Sequence, residues 1–414
     1  MRAICFDVTV AGYLRARALA RVWPAAMLGR LGTASLREVP EPRLPGPEWV
    51  ELEVLGCGVC GTDISTFTYS VSTALEPFGS FPAVLGHEVV ARVAGCGDAV
   101  DLVEVGQRVA VDPMISCAMR GFADDETCAS CRGGHAATCL RSAEEGRTAF
   151  ADGPIGRGMM TGYHRDLPGG FAERMVAHQS QLYPVDDIDN RTAALIEPLS
   201  IAVHAVLSSP AREDEPVLVI GSGTIALGVV WALRATGFRG EVIAQTKRPH
   251  EARLAERLGA SGTVKPGAEA RKALLATGAA AHKPIVGAEV YAGGGFPLIF
   301  DCVGNRASLD QALRFASARG RIVVLGCAAR VPDLDLTWLW ARELSVRGFM
   351  GYGAEQWRGR TSHTFEVTRE LLGETGTEVS ELVTHTFPLS RFREALRAAG
   401  NHRRSGAVKV QVEP

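Results

Sequence analysis

The feature that most constrains this chain lies near its middle, where Pro216-Val217-Leu218-Val219-Ile220 runs straight into Gly221-Ser222-Gly223-Thr224-Ile225-Ala226. A continuous apolar strand of this kind belongs inside a parallel sheet, buried on both faces. Gly221 and Gly223 permit a tight turn and let backbone approach a pyrophosphate. Thr224 and Ile225 then open a helix whose free N–H groups and dipole favour an anion. Ala226 takes the third small position, where helix and strand pack closely. A glycine turn alone is weak evidence. Here a helix to about 236 and a strand over 241–245 come next in order, which points to a dinucleotide-binding unit.

The alternation continues with helices over 250–258 and 268–275, a strand over 297–303, a helix over 308–318 and a strand over 321–325, which is the pattern of a doubly wound sheet. In such folds an Asp or Glu at the end of the second strand bonds the ribose 2′-hydroxyl of NAD. Thr246 stands at that position, Lys247 and Arg248 come after it, and no carboxylate appears before Glu251. Two cations in place of an acid predict NADP as the preferred cofactor, with NAD possible.

A chain of 414 residues is too long for one ordinary core, so two domains are expected. The formal net charge of −2 argues against a nucleic-acid partner. No apolar run approaches the ~18 residues of a membrane span, and Met1-Arg2-Ala3-Ile4-Cys5-Phe6 reads as a strand rather than a signal peptide. The expectation is a cytoplasmic protein without a membrane partner. Ten cysteines in a long chain of this kind are metal ligands more often than disulfides.

The amino-terminal half carries the metal chemistry. Gly58-Val59-Cys60-Gly61-Thr62-Asp63 is answered by Leu85-Gly86-His87-Glu88, and an isolated Glu197-Pro198-Leu199 comes much later. Thiolate, imidazole and carboxylate are zinc ligands, and a catalytic zinc site keeps one position open. Cys60 and His87 are two candidates, and Glu88 or Glu197 the third. Glu197 sits in apolar company, where a carboxylate is costly unless paired. Cys117, Cys128, Cys131 and Cys139 supply four thiolates, enough to close a structural tetrahedral site. His135 reads as a bystander. The count is then two zincs per chain, one catalytic and one structural.

Around these residues, strands are expected over 1–10, 49–54, 89–93, 107–111 and 171–176, with a helical segment over 13–30 that Pro24 should break or kink and an apolar helix from 192 to about 207. The run 39–47, rich in proline, is an extended connector. Residues 65–81 read as a loop whose Phe67, Tyr69, Phe78 and Phe81 serve either a substrate wall or the core. Residues 153–170, with six glycines, read as a long flexible loop. Helices over 366–372 and 391–399 and a strand over 407–412 look like a return to the first domain.

These motifs together resemble the zinc-dependent medium-chain alcohol dehydrogenases along nearly the whole chain. Gly58 to Asp63, Gly86 to Glu88, the four cysteines and Gly221 to Ala226 match that family's patterns, and Glu197-Pro198-Leu199 is similar to its polyol, glucose and threonine dehydrogenase branch. The resemblance implies an α/β architecture: a GroES-like, β-rich catalytic domain over 1–199, a Rossmann doubly wound parallel sheet over 200–345, and a return to the catalytic domain over 346–414. It also implies a zinc-dependent oxidoreductase acting on a small alcohol or polyol, and a homo-oligomer, dimer or tetramer. In that mechanism Thr62 passes on the hydroxyl proton and Asp63 holds His87. Three departures stand out. Ten residues, not two, separate Cys117 from Cys128; Ala91 replaces a glycine; and the 13–30 and 153–170 segments are long. The competing readings are a non-catalytic zinc protein with a nucleic-acid-binding ribbon and a zinc-free quinone-type reductase on the same fold.

Overall fold

The computed structural model describes residues 1–19, 24–150, 152–327, 329–375 and 377–414. The chain divides into two compact units, one of 1–197, 351–369 and 382–414, the other of 198–350 and 370–381.

The first unit is built on a mostly antiparallel sheet. Its long central strand Trp49–Val59 pairs with Glu88–Cys96 on one side and, on the other, with Lys409–Glu413 and Arg174–His178. Arg108–Val111 and Leu182–Pro184 extend one edge, and Val383–Pro388 the other. The expected 49–54 strand is thus longer, because Gly56 and Gly58 let neighbouring side chains press against its backbone instead of ending it. A second sheet joins Arg2–Phe6 to Ser35–Glu38 and Ala83–Val84.

The 13–30 segment carries a helix over Val10–Leu19 and a separate turn of 3₁₀ helix over Pro24–Leu28 that begins at the proline, with 20–23 outside the described residues. Two expectations change here. The 65–81 segment is not a plain loop. Gly61–Phe67 is helical and Thr73–Phe78 forms a 3₁₀ turn. Phe67, Tyr69 and Phe81 surround Phe6 at ring distances of 5.4, 5.6 and 5.9 Å, which makes them core anchors. The 153–170 segment is irregular but packed, with Ile155, His164 and Leu167 fully buried. Its glycines serve close approach rather than flexibility: a Cβ on Gly169 would lie 2.2 Å from the Gly86 carbonyl oxygen.

The second unit is the expected doubly wound sheet. Six parallel strands lie in the order Gly262–Val264, Val242–Gln245, Val217–Ile220, Phe296–Asp301, Ala316–Val324 and Ser345–Gly348. All four residues of Val217–Ile220 are buried, as its unbroken apolar sequence requires. The chain leaves this strand for Val242–Gln245 and Gly262–Val264 on one side and later returns to Phe296–Asp301 on the other, so its carboxyl end is the switch point at which such sheets bind ligands. An additional hairpin, Ala279–His282 with Val290–Gly293, precedes the Phe296–Asp301 strand.

Candidate functional site

Strand register assembles the first cluster. Gly58 lies opposite Glu88, and Gln411 lies opposite Gly58 on the other side. A Cβ on Gly58 would fall 1.9 Å from Glu88 Oε2, so only glycine leaves room for that carboxylate against the strand. Cys60 ends the strand and caps the Gly61–Phe67 helix. Its N–H donates to Asp63 Oδ2 at 2.9 Å, and its Sγ donates to Thr62 Oγ1 at 3.6 Å. Ligand atoms of Cys60, His87 and Glu88 all fall within 4.8 Å of one another.

Asp63 is fully buried and shared. Tyr163 donates its hydroxyl to Asp63 Oδ1 at 2.7 Å, while His87 Nδ1 stands 3.5 Å from the same oxygen. His87 Nδ1 is buried with no hydrogen bond of ordinary geometry. Burial alone would lower the His87 pKa, but Asp63 and Cys60 together raise it well above the ordinary value. A thiol, an imidazole and a carboxylate converging in a largely buried place suit a zinc ion by donor chemistry.

The two glutamates are held differently. Glu88 receives the Lys409 ammonium on both oxygens, each at 2.6 Å, and the two side chains are 1% and 5% exposed. Glu197 lies outside the 4.8 Å cluster among the described residues. Its Oε1 accepts from the Tyr352 hydroxyl at 3.1 Å. Burial, reinforced by Glu88 and opposed by His87, Lys409 and Tyr352, pushes the Glu197 carboxyl up to about 7. Tyr163, Tyr352 and Lys409 escaped sequence reasoning. Lys409 alone left a signal, as a lone cation in the apolar run Ala407-Val408-Lys409-Val410.

The four cysteines also converge, with their sulfurs within 4.8 Å of one another. The ten-residue gap closes because Asp124–Glu126 makes a turn that returns Cys128 to Cys117, whose Sγ accepts the Cys128 N–H at 3.5 Å. Sulfur separations of 3.7 Å (Cys117 to Cys139) and 4.0 Å (Cys128 to Cys139) are far beyond a disulfide bond, and all four thiols are free. A hydrogen bond from Cys131 lowers the Cys139 pKa to about 5, and the same bond raises that of Cys131. Crowded sulfurs, two of which (Cys128 and Cys139) favour their thiolates, fit a structural metal. Arg120, fully buried, lies close enough to feel these sulfurs, and burial lowers its pKa. His135 is not part of the cluster.

In the second unit, Gly221 takes φ +125°, a left-handed backbone that the turn needs, and Gly223 caps the Thr224–Ala235 helix ahead of Thr224 and Ile225. Thr246 is buried at the end of the second strand, and Lys247 is exposed. Arg248 is not free: its Nη1 pairs with Glu251 Oε1. Glu251 Oε2 accepts from Ser222 Oγ at 2.7 Å and from the N–H groups of Lys247 and Arg248, each at 3.1 Å. A carboxylate from the next helix therefore ties the glycine turn to the end of the second strand.

Two family models match the chain: the alcohol dehydrogenase GroES-like domain over residues 46–187 and the zinc-binding dehydrogenase domain over 224–366. Among curated relatives, L-galactonate-5-dehydrogenase of Escherichia coli (strain K12) is 27% identical over 361 residues, covering 86% of this chain and 89% of the relative. L-threonine 3-dehydrogenase of Saccharopolyspora erythraea is 28% identical over 384 residues, covering 92% and 95%. Among solved structures, one assigned as a zinc-binding dehydrogenase from Sinorhizobium meliloti 1021, bound to NADP, superposes with a TM-score of 0.70 at 26% identity, covering 94% of this chain and 98% of that one. Galactitol-1-phosphate dehydrogenase from Escherichia coli shares the fold, with a TM-score of 0.71 at 22% identity and full coverage of both chains. No helix among the described residues is long and apolar enough to cross a membrane.

Proposed function

Because the chain belongs to the zinc-dependent medium-chain alcohol dehydrogenase family, we propose that it catalyses the reversible oxidation of a small alcohol or polyol with a nicotinamide cofactor. The observation that carries the reading is the convergence of the Cys60, His87 and Glu88 ligand atoms within 4.8 Å of one another, with His87 Nδ1 turned toward Asp63. Cys60 and His87 hold the catalytic zinc, with Glu197 or Glu88 as the third protein ligand; Cys117, Cys128, Cys131 and Cys139 hold a second, structural zinc. When bound, zinc supplies a Lewis acid that polarises the substrate hydroxyl, and the nicotinamide supplies the hydride acceptor.

The chain's own residues do the rest. Asp63, fixed by Tyr163 and by the Cys60 N–H, orients the His87 ring. Thr62, two residues from Cys60, accepts the hydroxyl proton and passes it on. Lys409 neutralises Glu88, so the site does not carry two free glutamates. Gly221, Gly223, Thr224 and Ile225 receive the pyrophosphate at the helix N-terminus. NADP is preferred over NAD through Lys247 and Arg248, with Glu251 setting the direction of the Arg248 fork. The four exposed residues of the edge strand Ser345–Gly348 offer unpaired backbone to a second copy, which suits a homo-oligomer. The relatives' names point to hydroxylated acids and polyols as the substrate class.

The test is a panel of alcohols, polyols and sugar acids assayed by cofactor reduction, with zinc counted per chain. Two zincs and a turned-over polyol or hydroxy acid are expected. Fewer than two zincs with no reduced cofactor from any member would refute the proposal.

A further inference from the structure

The extra amino-terminal segment builds a pocket away from the residues assigned above. A cavity of about 460 Å³ opens between residues 25–31 and the carboxyl end of the Phe392–Gly400 helix. Its floor is apolar, with Leu28 and Leu31, and its polar groups are Arg30, Arg397, Arg404 and Asn401. That volume and that mixture, apolar walls with a few convergent polar groups, are those of a small-molecule site.

The charges there are unbalanced. Acidic residues outnumber basic ones in this chain, 46 to 44, and exposed arginines such as Arg2, Arg147, Arg157 and Arg319 each find a carboxylate. Arg30, Arg397 and Arg404 form no ion pair among the described residues. Glu394, one helical turn before Arg397, is already engaged by Arg391 through two hydrogen bonds of 2.8 and 2.5 Å. Arg403 adds a further exposed cation beside them. Three guanidinium groups around one apolar cavity repel one another unless an anion sits among them, and each offers a planar fork that matches a carboxylate or phosphate.

The segment that forms the far wall is fastened in place. Arg393 donates to the carbonyls of Gly29 and Ala34 at 3.3 and 3.2 Å, and Arg15 to that of Leu31 at 3.1 Å. Leu28 fills the space over Gly400: a Cβ there would lie 2.4 Å from Leu28 Cδ1 and 3.5 Å from Ile64 Cγ2. Ile64 is on the Gly61–Phe67 helix, next to Asp63 and two residues from Thr62. A body lying on Leu28 is therefore one side chain away from the helix that Cys60 caps.

We propose that this pocket is an effector site for a small organic anion bearing two or three carboxylate or phosphate groups, and that its occupancy stiffens the Gly61–Phe67 helix through Leu28, Gly400 and Ile64. The binding half does not depend on the dehydrogenase reading, because it is measured without turnover.

Isothermal titration of the full-length protein with citrate, and separately with inorganic phosphate, tests it against sodium chloride of matched ionic strength. Saturable binding of citrate at one site per chain is expected, with phosphate weaker. The R397M/R404M double variant should lose at least about tenfold in citrate affinity, and R397K/R404K should fall between, since a point charge replaces a fork. L31E, which supplies an internal carboxylate, should also weaken citrate. Leu31, Arg397 and Arg404 are all exposed, and an unchanged melting temperature would certify the fold. Amide exchange over 61–67 should slow on citrate addition in the wild type and not in R397M/R404M. No saturable binding, or equal binding by wild type and double variant, would overturn the site. Binding without slower exchange over 61–67 would overturn the coupling.

Discussion

Lys409→Met is the sharpest test of how the Cys60, His87 and Glu88 cluster is balanced. The ammonium lies 2.6 Å from each oxygen of Glu88, with side chains 5% and 1% exposed, so both charges have left water and depend on each other. Removing one partner of such a pair strands the other, at a cost of about 3–5 kcal/mol. At roughly 2–4 °C per kcal/mol for a folding unit of this size, the melting temperature should fall by roughly 6–20 °C. Differential scanning calorimetry of wild type, K409M, E88Q and the double variant measures it. The double variant should recover more than half of the K409M loss, because a neutral amide no longer needs a counter-charge. The pH dependence comes from the same pair. Burial pulls the Lys409 pKa down, but Glu88 and Cys60 outweigh it and leave the pKa above the ordinary lysine value. A raised pKa stabilises fully below the unfolded-state value and is lost only as pH climbs through the folded one. The K409M deficit should therefore be constant between pH 6 and 9, within about 1 °C, and shrink only in strong alkali. A variant within about 2 °C of wild type, or a double variant no better than K409M, would refute the reasoning.

Other consequences concern the assigned groups. Cys60→Ala and His87→Ala should abolish turnover with one zinc fewer, while nucleotide binding, measured by fluorescence titration, is retained because the glycine turn belongs to the other unit. Glu197→Ala should lower turnover by about 10²-fold, near the upper end for a disturbed metal-site partner, and unchanged rate and metal content would reduce it to a packing residue. Cys131→Ser should lose one zinc and lower the melting temperature, since a structural site contributes folding free energy directly. An equally stable variant that lost only activity would contradict that role. Arg248→Ala should weaken NADP at least about tenfold and leave NAD nearly unchanged in equilibrium binding. An NADP affinity indifferent to Arg248 would remove the basis for the preference.

The doubly wound half is almost wholly legible in the sequence, for a physical reason. A strand covered on both faces must be apolar throughout, so Val217–Ile220 and Phe296–Asp301 declare themselves, and the glycine turn dictates the helix after it. The first unit is legible only where strands alternate. The Gly61–Phe67 helix has seven residues, too few to display a helical period, and its start is encoded instead by the Cys60 and Asp63 cap. The packed 153–170 segment reads as flexible because glycine content looks the same whether it provides freedom or close approach. Only the Gly86 backbone lying against Gly162 and Gly169 distinguishes the two. The Ala279–Gly293 hairpin is short and rich in alanine and glycine, which carries almost no strand preference.

At the proposed site, the residue types are legible and the balance of their charges is not. Cys60, His87 and Glu88 are near enough in sequence to be read as one motif, but the group that holds each carboxylate comes from far away. Lys409 is 321 residues from Glu88, and Tyr352 is 155 from Glu197. Neither distance leaves a trace in a local pattern: strand order brings Lys409 across the central strand to Glu88, and tertiary packing brings Tyr352, just before the Ala354–Trp357 strand, to Glu197 on the Ile196–Leu207 helix. Glu88 thus meets a full cation and Glu197 only a neutral hydroxyl. Glu88 would have to give up two charge-assisted bonds to approach a metal, whereas Glu197 would give up one ordinary hydrogen bond. Proximity alone favours Glu88 as the third ligand, since it lies inside the 4.8 Å cluster. The cost of release favours Glu197, and burial that lifts its carboxyl to about 7 adds a second incentive to meet a cation. The K409M variant therefore does more than probe stability: by freeing Glu88 it removes the obstacle to that carboxylate. A zinc affinity that rises in K409M and survives the further change Glu197→Gln would identify Glu88 as a competent ligand that Lys409 normally withholds, and a zinc affinity that collapses in K409M/E197Q would leave Glu197 as the third ligand.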